Sequence, residues 1–258
     1  RRKVYIMAEL AISKSNVLID VVPTIIADPG TGENAANISD PDHSLNYTSG
    51  TSTGDFAVSY GAQTAIGYLA ISGHTAATPV SAQQARISIY DGVTLIDSVL
   101  LDRNNNVMFT FPEMDFADLT VRFFTVPNNY QMTVSFIAAG QYLAIETGQQ
   151  AGYARNWLNR HVTQRSNSTL EVGPISSTQR AKALKGTLSL PNELAIFTEG
   201  TWQDFIDFSF EQPFFIKEFQ DKPESSYICY DPMPGVKSHP QTPTLDVITL
   251  KFTVYNGL

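Results

Sequence analysis

Between residues 64 and 137 the chain is interrupted by a turn signal about every ten residues, which leaves room for short strands and little else. Thr64–Ser72 and Ala85–Tyr90 are apolar, strand-like runs separated by the small-residue loop Gly73–Ala82. Arg86-Ile87-Ser88-Ile89-Tyr90 alternates polar with apolar, and Asp91-Gly92 after it is a hairpin turn signal. Thr94–Leu101 follows, and Asp102–Asn106 breaks it with a second tight turn. Val107–Phe111, Leu119–Phe124 and Met132–Ile137 complete the set. This spacing predicts a β-sandwich of the jelly-roll kind. Upstream, Val4–Ile12 and Val17–Ile26 read as further strands, and the second closes at Pro29-Gly30. The polar excursion Gly30–Gly54 is long enough to be functional or laid along a surface.

The C-terminal half is organised around an aromatic stretch. Phe205, Phe208, Phe210, Phe214, Phe215, Phe219, Tyr227 and Tyr230 fall within 26 consecutive positions. Phe208 and Phe210 alternate with Asp207, Ser209 and Glu211, the period of a half-buried strand. Pro213 ends that ladder, Phe214–Phe219 resumes as a strand, and Tyr227–Tyr230 returns after the polar loop Gln220–Ser226. The expectation is an aromatic hairpin core with Phe210 and Phe215 facing inward. Asn192–Asp207, after Pro191, is the best helix candidate. Strands are also expected around Thr169–Val172, Ala181–Ser189 and Leu245–Tyr255. The fold expected is all-β, with a jelly roll over 1–146 and a second, mainly-β domain over 147–258.

Composition narrows function chiefly by exclusion. The 258 residues carry 17 basic and 25 acidic side chains, a formal charge of −8, which argues against nucleic acid or an anionic membrane as main partner. No apolar run has the length of a membrane span, and the basic Arg1-Arg2-Lys3 start lacks the apolar core of a signal peptide. Cys229 is the lone cysteine; it excludes an internal disulfide and reads as core packing.

Candidate chemistry is sparse. His43, His74, His161 and His239 have no metal-ligand spacing, and His74 reads as a loop or core-edge histidine. The acid pairs Asp204/Asp207 and Asp115/Asp118 read as solvated faces rather than a glycosidase dyad. Asp102–Asn106 holds oxygens suited to calcium but reads as a hairpin turn. No nucleophile elbow or phosphate-cradling loop is present. The expectation is therefore a non-enzyme with no catalytic residue, metal site or cofactor. The most informative polar feature is the basic series Arg155, Arg160, Arg165, Arg180, Lys182 and Lys185, relieved only by Glu171 and followed by an acidic stretch over Glu193–Asp231. It reads as half of an electrostatic interface between copies of the chain, with a solvated face that meets no partner as the alternative.

Two resemblances add to this. Pro213-Phe214-Phe215, the loop Asp221-Lys222-Pro223-Glu224 and Tyr227-Ile228-Cys229-Tyr230 resemble the C-terminal domain of minor virion proteins of tailed bacteriophages, as do Gly152-Tyr153-Ala154-Arg155 and Arg165-Ser166-Asn167-Ser168. Tyr68–Gly73-His74 and Ile87–Tyr90 resemble discoidin-like jelly rolls. The resemblance implies a structural protein of the phage tail tip or hub, located in the virion and assembling as a homo-oligomeric ring or belt with other tail proteins. The rival reading is a carbohydrate- or receptor-binding module in which the jelly roll meets a host surface glycan through Gly30–Gly54 and Gly73–Ala82. Tyr47 and Phe56 are the aromatics expected near that site.

Overall fold

The division of buried side chains between two core clusters fixes which sheet faces which. The computed structural model describes residues 10–27, 34–42, 45–49, 56–77, 85–124, 131–145, 183–239 and 242–255. Its strands are β1 (Leu10–Ser13), β2 (Thr24–Ala27), β3 (Tyr47–Thr48), β4 (Phe56–Ser59), β5 (Gln63–Ser72), β6 (Ala85–Asp91), β7 (Thr94–Leu101) and β8 (Val107–Phe116). They continue with β9 (Leu119–Phe124), β10 (Thr133–Val134), β11 (Phe136–Gly140), β12 (Tyr142–Ile145), β13 (Ala183–Leu194), β14 (Phe214–Lys217), β15 (Ser226–His239) and β16 (Thr242–Tyr255). An outer five-stranded sheet has the order β2-β4-β9-β6-β7, and a three-stranded middle sheet the order β11-β5-β8. Phe56, Val58, Ile87, Ile89, Val121 and Phe123 of the outer sheet meet Leu69, Ile71, Val107 and Phe109 of the middle one in a single core. This is the β-sandwich that the strand spacing predicts.

The middle sheet is covered on both faces. Tyr68, Ala70, Met108, Phe136 and Ala138 point away from the sandwich core and pack against Ala11, Phe215 and Ile228 of a third sheet. Phe136 lies nearly parallel to Phe215, with ring centroids 6.2 Å apart. Burial on both faces explains why β5 reads as a continuous apolar run from Ile66 to Ile71 instead of alternating.

The third sheet has the order β12-β1-β14-β15-β16-β13, so it does not respect the division expected at residue 146. β1 and β12, both N-terminal to that position, pair antiparallel from Leu10↔Ile145 to Ser13↔Tyr142. The whole sandwich is thus inserted between two adjacent strands of the C-terminal sheet. The physical reason is pairing: β14 has β15 on one side and needs β1 on the other to satisfy its remaining backbone groups. Gly140 sits where the chain crosses back. A Cβ there would lie 2.6 Å from the backbone oxygen of Ser15, which has no room to retreat.

The far face of the C-terminal sheet carries a helical layer: α1 (Ala195–Phe197), a π-helical turn over Thr198–Trp202, and α2 (Gln203–Glu211). Phe208 and Phe210 are helical, not strand, and residues 192–194 belong to β13. Two periods compete in these letters. The 3.6-residue period of Trp202, Phe205, Ile206 and Ser209 puts the bulkiest side chains on one buried stripe and prevails over the two-residue alternation. Trp202, Phe205, Phe214 and Phe252 meet in sequence, the first pair tilted and the next two edge-to-face, with successive centroids 4.9, 5.3 and 5.9 Å apart. Phe215 is fully buried as expected, but Phe210 is 63% exposed, because it lies off that stripe. Pro213 ends α2, and the β14–β15 hairpin pairs Phe214↔Cys229 and Ile216↔Tyr227, as the sequence predicts. Cys229 is buried, and burial pushes its thiol pKa well up.

Candidate functional site

The site begins at a strand irregularity. β15 shifts register against β16 between Tyr230 and Met233, and Asp231 there has φ 52°. Aspartate tolerates that left-handed conformation better than most residues, so the bulge forms without glycine. Pro232 is buried below it, and Met233 is turned outward, 58% exposed. The C-terminal end of α2 brings Ser209, Phe210 and Glu211 alongside, and Gln212-Pro213 carries the chain on into β14.

The third wall comes from the other half of the molecule. After the 3-10 helix Ala35–Ser39, the Asp42 N–H donates to Asp40 Oδ1 at 2.8 Å, and the Leu45 N–H donates to Asp42 O at 2.9 Å. These bonds hold Asp40-Pro41-Asp42 as a compact turn. Together the three segments enclose a groove of about 610 Å³. Its lining offers Phe210, Pro41, Pro213, Pro232 and Met233 as apolar surface, and Asp40, Asp42, Glu211 and Asp231 as acceptors, with no basic side chain among them. The Gln212 side-chain oxygen is buried without a hydrogen-bond partner. Such a site suits a ligand with an apolar face and several hydrogen-bond donors.

The positions singled out from sequence are distributed elsewhere. Arg155, Arg160, Arg165, Arg180 and Lys182 lie outside the described residues, and Lys185 is exposed on β13. The strand expected around Thr169–Val172 also lies outside them. Tyr47 and Phe56, expected near a glycan site, are instead 1% exposed and stacked at 5.2 Å in the sandwich core. Ile38 from the same excursion is buried with them, so this part of Gly30–Gly54 closes the end of the sandwich.

His74 is a core-edge residue. Its Nε2 lies 2.7 Å from Asn105 O, and the Ala76 N–H donates to Nδ1. That pattern fixes the neutral tautomer with the proton on Nε2, and burial pushes the pKa down to about 4. The turn Asp102–Asn106 spends its side-chain oxygens locally: Asn104 Oδ1 accepts from the Ala77 N–H and Asn106 Oδ1 from the Ser72 hydroxyl. Asp115 accepts from the Ala65 N–H and Asp118 from the Ser59 hydroxyl, while Asp207 accepts from Gln203 on the surface of α2. Among the described residues no group of three or more His, Cys, Asp or Glu side chains is placed to hold a metal ion, and no helix is long and apolar enough to cross a membrane.

The groove itself was not legible from the sequence. The available signal was the mismatch between Phe210 and the stripe through Trp202, Phe205, Ile206 and Ser209.

No protein-family model matches this sequence, and no curated protein matches it. Among solved structures the chain is similar to chitosan-binding module 1 from a chitosanase/glucanase of Paenibacillus sp. IK-5, at 13% identity and TM-score 0.36, over 49% of this chain and 99% of that one. It is similar to a Streptococcus pneumoniae fucose binding module, SpX-3, at 13% identity and TM-score 0.36, over 50% of this chain and 99% of the module. A family 32 carbohydrate-binding module from C. perfringens NanJ, in complex with galactose, has 16% identity and TM-score 0.33, with 52% and 99% covered. The fold assignment stands on the sheet topology itself.

Proposed function

We propose that this protein is a non-catalytic carbohydrate-binding protein, and that the groove between Asp40–Asp42, the end of α2 and the β15 bulge holds the saccharide. The observation that carries this reading is the exposed ring of Phe210 in a groove rimmed by four carboxylates. A sugar ring has one C–H-rich face and a periphery of hydroxyl donors. The phenyl ring takes the face, and Asp40, Asp42, Glu211 and Asp231 accept from the hydroxyls. The test is titration calorimetry against neutral and amino-sugar oligosaccharides. Binding of at least one by the wild type, weakened about tenfold or more by Phe210→Ala without loss of Tm, supports the reading. Failure of every saccharide to bind overturns it.

A second reading is a structural component of a tailed-phage virion, assembled as a ring or belt with other tail proteins. What favours it is the hairpin: Phe214-Phe215 pair with Ile228-Cys229 in the arrangement the phage resemblance implies. Its test is reconstruction of an intact particle. Density for this fold in a closed belt supports it, and density for isolated copies touching no neighbour removes it.

A further inference from the structure

On the outward face of the outer sheet, away from the groove, two arginines lie over aromatic rings. Ile87, Ile89, Val121 and Phe123 point into the core, so their neighbours in β6 and β9 lie on the opposite face, where Arg86 is exposed, Tyr90, Arg122 and Phe124 are half-buried, and Ser88 and Thr120 are buried among them. Those neighbours form three rows: Arg86 opposite Phe124, Ser88 opposite Arg122, and Tyr90 opposite Thr120. The Arg86 guanidinium lies 4.4 Å from the Phe124 ring centre, and that of Arg122 reaches diagonally to Tyr90 at 4.9 Å. Ala57 and Leu100 extend two of the rows onto β4 and β7, and no acidic side chain stands in the three rows.

Neither guanidinium pairs with a carboxylate among the described residues, although the chain has 25 acids to 17 bases. Ser88 is 1% exposed and its hydroxyl has no hydrogen-bond partner, and the buried Arg122 Nε beside it has none either. Buried polar groups are nearly always paired, so this spot holds uncommitted donors under a cation. A guanidinium stacked on a ring has already lost its rotational freedom and presents its N–H edges in the plane that a carboxylate engages bidentately.

We propose that this face binds a uronate-bearing polysaccharide, with Arg86 and Arg122 taking carboxylates of the chain. The two arginines are diagonal cross-strand neighbours, roughly 7–8 Å apart at the backbone, so one extended polymer can engage both. The choice of a glycan as the polymer rests on the carbohydrate-binding reading above, but the surface is separate from the groove.

The experiment is affinity electrophoresis and calorimetry of the full chain with polygalacturonate, a neutral galactan and poly-L-glutamate. Wild type should bind polygalacturonate, more weakly as salt rises, and should prefer it to the other two. Arg86→Gln with Arg122→Gln should weaken binding about tenfold or more. Arg86→Lys and Arg122→Lys, which keep charge and stem but lose the fork, should each weaken it several-fold, and they remain informative if the double variant fails to fold. Phe210→Ala should leave polygalacturonate binding unchanged, which separates this surface from the groove. Unaltered binding in the arginine variants, no binding by wild type, or equal binding of poly-L-glutamate would each overturn the proposal.

Discussion

The sandwich core and the core under α2 are built from similar side chains by different rules. In the sandwich, two sheets face each other, and every inward residue of β4, β6 and β9 is followed by an outward one. In the C-terminal layer a helix lies on a sheet, so its apolar residues must recur at helical spacing while those of β14 run on without alternating. Two-residue periodicity therefore describes the first region and misdescribes the second. The contrast also extends to the surface. The outer sheet carries ordered arginines and aromatics on its outward face, with Ala57, Ser88 and Thr120 buried among them, whereas the groove of the C-terminal half lies at the end of α2 and the β15 bulge.

The strongest test of the contrast is truncation within the aromatic series under α2. Phe214→Ala should cost about 3–5 kcal/mol in chemical denaturation, because the ring is buried between Phe205 and Phe252. A cost under about 1 kcal/mol would mean that the helix does not depend on the sheet. Next is the inserted sandwich. Ile12→Ala, in β1, should cost about 2–5 kcal/mol and shift one cooperative transition seen by near- and far-ultraviolet circular dichroism together. Two separable transitions would show that the sandwich and the C-terminal sheet fold as independent units.

A smaller effect is expected at Lys217, enclosed between the middle and C-terminal sheets with its Nζ donating to Thr110 Oγ1 at 2.9 Å. Desolvation pushes its pKa down to about 8 from 10.5, against the opposing pull of Asp97, Asp221 and Glu224. Between those values the unfolded chain binds more protons than the folded one, so this residue's contribution makes stability rise with pH from about 8 towards 10.5. Lys217→Met should remove that rise and hold Tm level or higher at pH 7. A wild type and variant with the same Tm-against-pH slope would contradict this. The smallest effect belongs to Phe210→Ala, within about 0.5 kcal/mol of wild type by denaturation, as for a residue outside any core. A loss comparable to that of Phe214→Ala would place Phe210 in the core and remove it from the groove.

These tests follow the line between what could and could not be read from the letters. Arg86–Tyr90 announces its strand because one face is buried and the other wet. The β14–β15 hairpin is legible because Pro213 and the loop around Pro223 leave the chain few alternatives. Residues 208–211 were not legible as the continuation of the helix expected up to Asp207, since Phe208 and Phe210 fit a strand as well as Trp202 and Phe205 fit a helix. Only the neighbouring sheet decides between them. The pairing of β1 with β12 and β14 joins positions far apart in sequence, and no local pattern encodes it. The groove escaped for the same reason: Asp40 and Asp231 become neighbours only through the fold. Tyr47 and Phe56 misled because aromatics beside a polar loop serve as a plug for the sandwich as readily as a ligand platform.

The antiparallel pairing of Ser13 with Tyr142 has a mechanical consequence. Leu10 and Tyr255 both belong to the C-terminal sheet, in strands separated by β14 and β15 alone. Tension applied between those two residues passes through the β1–β14, β14–β15 and β15–β16 ladders. The sandwich, strung between Ser13 and Tyr142, hangs beside that load path as a pendant and carries none of the force through its own strands. A protein anchored through this sheet can thus be pulled hard while the arginine-bearing face keeps its shape.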